Sequence, residues 1–201
     1  VVSMLMAALR RQVRNSEDHA RRAEQLRAWS DTLRDTADPL LQAGALQSAL
    51  AALSGVPVAL LVAKQARPAD TSDDDVLRVG EADADQAAGL WHCLREGEPM
   101  GPGTGRHEEQ PDWYLPLRGR GASFGATVLR GLGAPSRQSP ELRAQAQALC
   151  DQLGLALQRV QALRDERIAR DAAQAQGVRN ALLAAISHDF RTPLATIMSA
   201  A

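Results

Sequence analysis

The chain has 201 residues, 45 % of them hydrophobic and 23 % charged, with a formal net charge of −1. That length suits one compact domain with helical extensions, and the composition excludes a disordered chain. Aromatics at 3 % and no net positive charge argue against stacked-ring or polyanion-steered binding, so no nucleic-acid partner is expected.

Two cysteines, Cys93 and Cys150, cannot build a disulfide framework. They read as small buried apolar residues in a reducing compartment. No segment reaches the roughly 20 apolar residues that span a bilayer. Val1 to Leu9 is nonetheless an apolar run followed at once by Arg10, Arg11 and Arg14. Basic residues stay on the cytoplasmic side of a membrane helix. Residues 1–9 are therefore expected to end a transmembrane helix; an ordinary buried first helix fits the same residues.

Residues 10–37 are charged, rich in Ala and Leu, and free of Gly and Pro, which predicts a juxtamembrane signalling helix. Asp38-Pro39 ends it, because a residue before proline avoids helical backbone angles. Pro39 then opens a second helix through about Leu53, and Ser54-Gly55 stops it. Val56 to Ala63 is continuously apolar and reads as a central strand, with Pro57 limiting early pairing. Gln65 to Asp75 reads as a hairpin-type loop in which Asp73, Asp74 and Asp75 are a solvated acidic run. Val76 to Val79 is a short strand. Asp83 caps a helix through about Arg95 that carries Leu90, Trp91 and Leu94 on one side. Gly97 to Gly105 is too rich in Gly and Pro for regular structure. Asp112 to Leu117 and Ala122 to Arg130 are strands joined by the turn Arg118 to Gly121. Pro116 places the first of them toward a sheet edge. Trp91 and Trp113 read as core anchors.

Ser139-Pro140-Glu141 is a helix start: a capping Ser, Pro at the first helical position, and an acid in the first turn. No proline follows until Pro193, so the helix would be a rod of roughly 80 Å at 1.5 Å per residue. Leu149, Leu153, Ala156, Val160 and Leu163 recur in alternating steps of four and three, the spacing of a coiled-coil seam. The seam breaks over Arg164 to Gln176 and restarts at Val178, Leu182 and Ala185; a phase break of this kind can act as a joint.

Near the end of that helix stands Ser187-His188-Asp189-Phe190-Arg191-Thr192-Pro193-Leu194. On a 100° helical wheel His188 falls about 100° from the middle of the stripe of Val178, Leu182, Ala185 and Ile186. A neutral imidazole there is a nucleophile, and the neighbouring Asp189 carboxylate can fix its tautomer and accept its proton. Pro193 cannot bond the carbonyl of Asp189, so a bend is expected beside the histidine. A lone surface histidine on a helix fits the same residues.

The octapeptide as a whole, with Arg179 to Ile186 before it, resembles the H-box of sensor histidine kinases. The resemblance implies that His188 is the phosphoacceptor, Asp189 the base, and that Thr192 with Pro193 governs bending and dephosphorylation. It also implies ATP and Mg in a catalytic domain of the parent protein, with no cofactor in this chain, and phosphotransfer to the receiver domain of a response regulator.

A second resemblance covers more of the chain. Gly89-Leu90-Trp91, Gly97-Glu98-Pro99-Met100-Gly101-Pro102-Gly103-Thr104, Trp113-Tyr114-Leu115-Pro116-Leu117 and Phe124-Gly125 are similar to the GAF-like region of Kdp-type potassium sensor kinases. The chain departs from that pattern after Thr104, where it reads Gly105-Arg106-His107-Glu108. The expected fold is α+β: a GAF/PAS-like antiparallel sheet flanked by helices, with a long C-terminal coiled-coil helix that begins the HisKA domain. Its expected parts are a sensory domain over 38–138, an exit helix over 139–176 and the first phosphoacceptor helix over 177–201. The resemblance further implies a homodimer through the N- and C-terminal helices, a cytoplasmic position in a bacterial inner-membrane protein, and a relayed potassium or osmotic signal.

The glycine-rich loop leaves two readings. Gly101, Gly103 and Thr104 could cradle an anion or small ligand with free backbone N–H groups, or the loop could be a tight crossing where only glycine fits. It lacks the Gly-Lys-Ser/Thr ending of a phosphate loop. His92, Cys93 and His107 supply at most three ligands in no recognised spacing, so no metal site is expected. Two rival functions remain: a small-ligand-binding GAF-like dimerisation module without a catalytic role, and a coiled-coil spacer.

Overall fold

The computed structural model describes residues 26–36, 38–64, 72–133 and 139–199, together with Met6, Ala20, Ala23 and Glu24. Side chains are described through residue 184 and at Ile186. Most of the expected stub at 1–9, most of 10–25, and residues 65–71 of the expected acidic loop lie outside the described residues. The chain divides into two units, 1–160 and 161–201.

The first unit is built on a four-stranded sheet in the order β2-β1-β4-β3. Its strands are β1 (Val58–Ala63), β2 (Val76–Val79), β3 (Trp113–Arg118) and β4 (Ser123–Leu129). Every pairing is antiparallel. β3 lies at the edge, as Pro116 predicts, and the register shifts between Pro116 and Arg118. β1 starts at Val58 rather than Val56, since Pro57 offers no N–H to a ladder. Its continuous apolar run follows from burial on both faces. Val58, Leu60 and Val62 enter one hydrophobic cluster, and Ala59 and Leu61 enter the other.

Helices cover the two faces. On one side lie α1, described as helix over 26–35, then α2 (Pro39–Ser54) and the first part of α4 (Pro140–Ser199). They bring Trp29, Leu33, Leu46, Leu50, Leu149 and Leu153 onto Trp113, Leu115 and Leu117. On the other side α3 (Ala84–Glu96) places Leu90, Cys93 and Leu94 against Ala59, Leu61, Tyr114, Ala126 and Val128. The helix ends are fixed by local chemistry. Asp38 accepts a hydrogen bond from the Leu40 N–H at 2.8 Å, and Gly55 closes α2 in the left-handed conformation. Asp83 and Gln86 form a reciprocal capping box on α3. The Ser139 hydroxyl accepts from the Leu142 N–H at 3.2 Å.

Three expectations need correction. Leu149 and Leu153 do not stand in a free coiled-coil seam; they are 7 % and 0 % exposed and belong to the sheet-facing core. A helix lying on a sheet and a helix lying on its twin both repeat apolar residues every three or four positions, so periodicity does not separate them. Trp91 is only half-buried, whereas Trp113 is a true core anchor. The acidic run is not all loop, because Asp73–Asp75 form a short 3-10 turn.

α4 meets the β3–β4 hairpin at backbone distance. A Cβ at Gly154 would overlap the backbone of Arg118. The Arg118 guanidinium grips Asp151 through two hydrogen bonds of 3.0 Å. Gln147 Nε2 donates to the Pro116 carbonyl at 3.0 Å and to Asp151 at 2.6 Å. The Arg120 N–H donates to Gln158 Oε1 at 2.7 Å.

The second unit is the remainder of α4. Its described side chains from 162 to 184 are exposed, and pairs such as Arg170 with Glu166 at 2.6 Å and Gln176 with Asn180 at 3.1 Å run along it at i, i+4 spacing. Leu163, Ile168, Val178, Leu182 and Leu183 are among its exposed apolar residues. Among the described residues no helix is long and apolar enough to cross a membrane.

Gly154→Ala should lower stability by about 2 kcal/mol, because the clash is with backbone that cannot rotate away. Thermal unfolding would read this as a fall in Tm of roughly 4–8 °C. Gly44→Ala in α2, where a Cβ meets nothing within 4 Å, is the control and should raise stability by up to ~1 kcal/mol.

Candidate functional site

The glycine-rich segment leaves α3 at Gly97 and crosses the edge strand. Met100 and Tyr114 exchange two backbone hydrogen bonds of 2.9 Å, so the segment adds an isolated bridge to β3. Gly101, at φ 110°, lies so close to Asp112 that a Cβ would overlap its carbonyl. The chain then turns back, and the Gly101 N–H bonds the Arg106 carbonyl at 2.9 Å. Thr104 folds inward: its hydroxyl donates to the Gly101 carbonyl at 2.6 Å. The structure thus brings Gly101, Gly103 and Thr104 into one turn.

Both readings of that turn meet here. It is a tight crossing at Gly101, and its N–H groups at Gly103 and Gly105 do converge on an anion. That anion is the chain's own Glu108, whose two carboxylate oxygens each accept a bond of 2.6 Å. Those backbone bonds, first from Gly103 and then from Gly105, hold the Glu108 carboxyl below the usual carboxylate range, although the side chain is exposed. The turn is tied to α4 as well. The Pro102 carbonyl accepts from Trp113 Nε1 at 3.1 Å and from Arg143 Nη1 at 3.2 Å. The Arg143 guanidinium sits over the Trp113 ring, 5.8 Å from its centre. Sequence reasoning gave neither Glu108 nor Arg143 a role; a carboxylate three residues beyond Gly105 was the available signal for the first, and none marked the second.

A separate cavity of about 470 Å³ opens between the sheet and α3. Ala59, Leu60 and Leu61 of β1 form its floor, with Arg78, Glu81 and Trp91 among its walls. Arg78 forms an ion pair with Asp73, and the Arg95 guanidinium lies 5.6 Å from the Trp91 ring centre. The cavity offers an aromatic wall and both signs of charge. Sequence patterning had no means of finding it, since its walls come from three separated segments.

The buried nucleophiles are unsuited to chemistry. Burial pushes the Cys93 thiol up, and it donates to the Glu98 carbonyl at 3.4 Å. Burial pushes Cys150 up to about 12, beside the Thr127 hydroxyl at 3.7 Å. Burial, then the nearby Asp112, raises Tyr114 to about 12. Asp112 itself is a junction: it accepts from Gly131 N–H at 2.7 Å and from Gln86 Nε2 at 3.0 Å, joining the turn after β4 to α3. Among the described residues no group of three or more His, Cys, Asp or Glu side chains gathers as a metal site. His188, Asp189, Thr192 and Pro193 fall within the helical backbone of α4; their side chains lie outside the described residues.

An antiparallel sheet with α1, α2 and α4 on one face and α3 on the other is the GAF fold. It superposes on the GAF domain of the potassium sensor histidine kinase KdpD from Escherichia coli with a TM-score of 0.56 and 19 % identity, covering 72 % of this chain and 98 % of that one. A GAF domain from Pseudomonas syringae pv. tomato gives a TM-score of 0.51 at 22 % identity, covering 78 % of this chain and 97 % of that one.

The sequence narrows the class further: the chain is homologous to the sensor protein KdpD. It is 32 % identical to KdpD of Escherichia coli over 117 residues, 58 % of this chain, and 28 % identical to KdpD of Clostridium acetobutylicum over the same length. The chain spans 13 % of the length of each of these relatives. No protein-family model matches it.

A carboxyl titration by NMR should place Glu108 below the ordinary glutamate value of about 4.3. Because its folded value is depressed, the stability it confers relative to Glu108→Gln is present above the ordinary carboxylate range. It is lost as pH falls through the folded value. A Glu108 midpoint at or above the ordinary value would exclude the two backbone bonds.

Proposed function

We propose that this chain is the cytoplasmic sensory and phosphoacceptor part of a two-component sensor histidine kinase of the Kdp type, lying on the inner side of a bacterial membrane. The octapeptide Ser187 to Leu194, on a helix whose first part packs against the core of a KdpD-like GAF domain, carries the reading. In the reaction, a neutral ring nitrogen of His188 attacks the γ-phosphorus of ATP. An N–P bond forms as the P–O bond to ADP breaks, and Asp189 takes the ring proton. ATP and Mg are supplied by the catalytic domain of the parent protein. Thr192 and Pro193 shape the helix around the histidine, and the phosphoryl group passes to an aspartate of a receiver domain.

The signal, potassium or osmotic in character, would reach His188 through α4. Arg143, Asp151 and Gly154 tie that helix to the glycine-rich turn and the β3–β4 hairpin. A homodimer paired through its helices is supported by the exposed Leu163, Ile168, Val178 and Leu182 on α4 and by the exposed Leu40 and Leu41 on α2.

A second reading, a small-ligand-binding GAF module without a catalytic role, is favoured by the cavity lined by Arg78, Glu81 and Trp91. One experiment separates the two. In the parent protein, His188→Gln should abolish ATP-dependent phospholabelling. Labelling undiminished by the substitution would refute the phosphoacceptor assignment. A parent that takes no label even with His188 intact would favour the ligand module.

A further inference from the structure

α2 carries no charged residue in its 16 positions, whereas α3 carries Asp85, Arg95 and Glu96 in 13. One side of α2, with Gln42, Ala43, Leu46 and Leu50, is buried in the core. On the opposite side Leu41, Ala45, Ser48 and Ala52 follow one another in steps of four, three and four, the spacing by which one helix meets another along its length. Leu41 is 62 % exposed, Ser48 and Ala52 are exposed, and Ala45 is half-buried. A surface helix ordinarily turns charge to solvent on this side. Ser48, the polar member of the row, already donates to the Gly44 carbonyl at 3.1 Å, so it brings no unsatisfied group to a contact. At Gly44 a Cβ would meet nothing within 4 Å, so the approach to this side is open.

We propose that this uncharged side of α2 is an interface for a second copy of the chain, the two α2 helices lying parallel with Leu41, Ala45, Ser48 and Ala52 each against its own counterpart. The missing charge selects that occupant. A two-fold pairing of parallel helices sets each residue of the row against itself, so any charge there would meet its like. A partner of different sequence would be chosen by complementary charge, and a lipid surface by basic residues beside the apolar ones; α2 offers neither. Alanine, serine and glycine let two helices approach to about 8 Å, the close end of the usual range. The inference rests on the homodimer proposed above and gives it a contact within the sensory domain. The parallel direction follows from the same reading. Gln42 Nε2 bonds the Leu33 carbonyl at 3.0 Å while Leu26 and Leu53 line one cleft, so α2 runs back along α1. Two chains that leave one membrane along α1 are related by a two-fold in that direction, which sets α2 parallel to its copy.

The test is disulfide trapping in the full chain, whose own Cys93 and Cys150 are buried. Under mild oxidation Ser48→Cys and, separately, Ala52→Cys should give covalent dimers on a non-reducing gel, and Ala88→Cys at an exposed position of α3 should give none. Ser48→Arg, which would set two arginines together, should weaken association at least tenfold in sedimentation equilibrium with unchanged far-UV circular dichroism. Trapping of Ser48→Cys no faster than Ala88→Cys would be random collision and would overturn the proposal. So would trapping of Ser48→Cys without trapping of Ala52→Cys, which excludes a parallel pair, or unchanged association of Ser48→Arg. Leu182→Cys on α4 separates this contact from the homodimer itself. Cross-linking there without cross-linking on α2 leaves the homodimer standing and refutes the α2 contact; cross-linking at neither refutes both.

Discussion

The close approach of α4 to the β3–β4 hairpin is the contact on which the rest of the first unit depends. At Gly154 the helix lies backbone to backbone on Arg118, which only a residue without Cβ allows. Once that approach is made, Leu149, Leu153 and Leu157 reach Trp113, Leu115 and Leu117, and the core closes. The Arg118–Asp151 pair then fixes the position along the helix. It is half-exposed, so its Coulomb attraction is screened and its planar, two-bond geometry matters more than its charge. The hydrogen bond that Arg118 donates to Asp151 is the main reason its proton is held more tightly than in a free arginine.

This arrangement makes α4 a wall of the sensory domain before it becomes anything else. Ala146, Leu149, Cys150, Leu153 and Leu157 on its inner face are buried, whereas its described side chains from 162 to 184 are exposed. On the proposed function, a change in the domain has a direct mechanical route to the helix through the turn at Pro102 and the hairpin at Arg118. Both sites hold α4 by side chains on its inner face: Arg143 to the first, Asp151 to the second.

Much of the fold was legible because it is written in local chemistry. Asp38-Pro39, Asp83, Ser139-Pro140 and the terminating Gly55 mark helix ends whatever the tertiary structure does. Val76–Val79 and the two hairpin strands followed from β-rich runs bounded by turn residues. The partner of α4 was not legible, because Leu149 and Leu153 carry the same spacing for a sheet as for a second helix. The site was legible in outline only. Gly101, Gly103 and Thr104 suggested a cradle of backbone N–H groups, but not that the Gly103 and Gly105 N–H groups close on Glu108. The sheet–α3 cavity arises from tertiary proximity, which no local pattern encodes.

Native-state hydrogen exchange tests the role of α4 most directly. If its first part is a wall of the core, amides of residues 146–157 should open with the same free energy as those of β1 and β4. Exchange of residues 146–157 at a much lower free energy, in step with residues 161–184 and apart from the sheet, would contradict it.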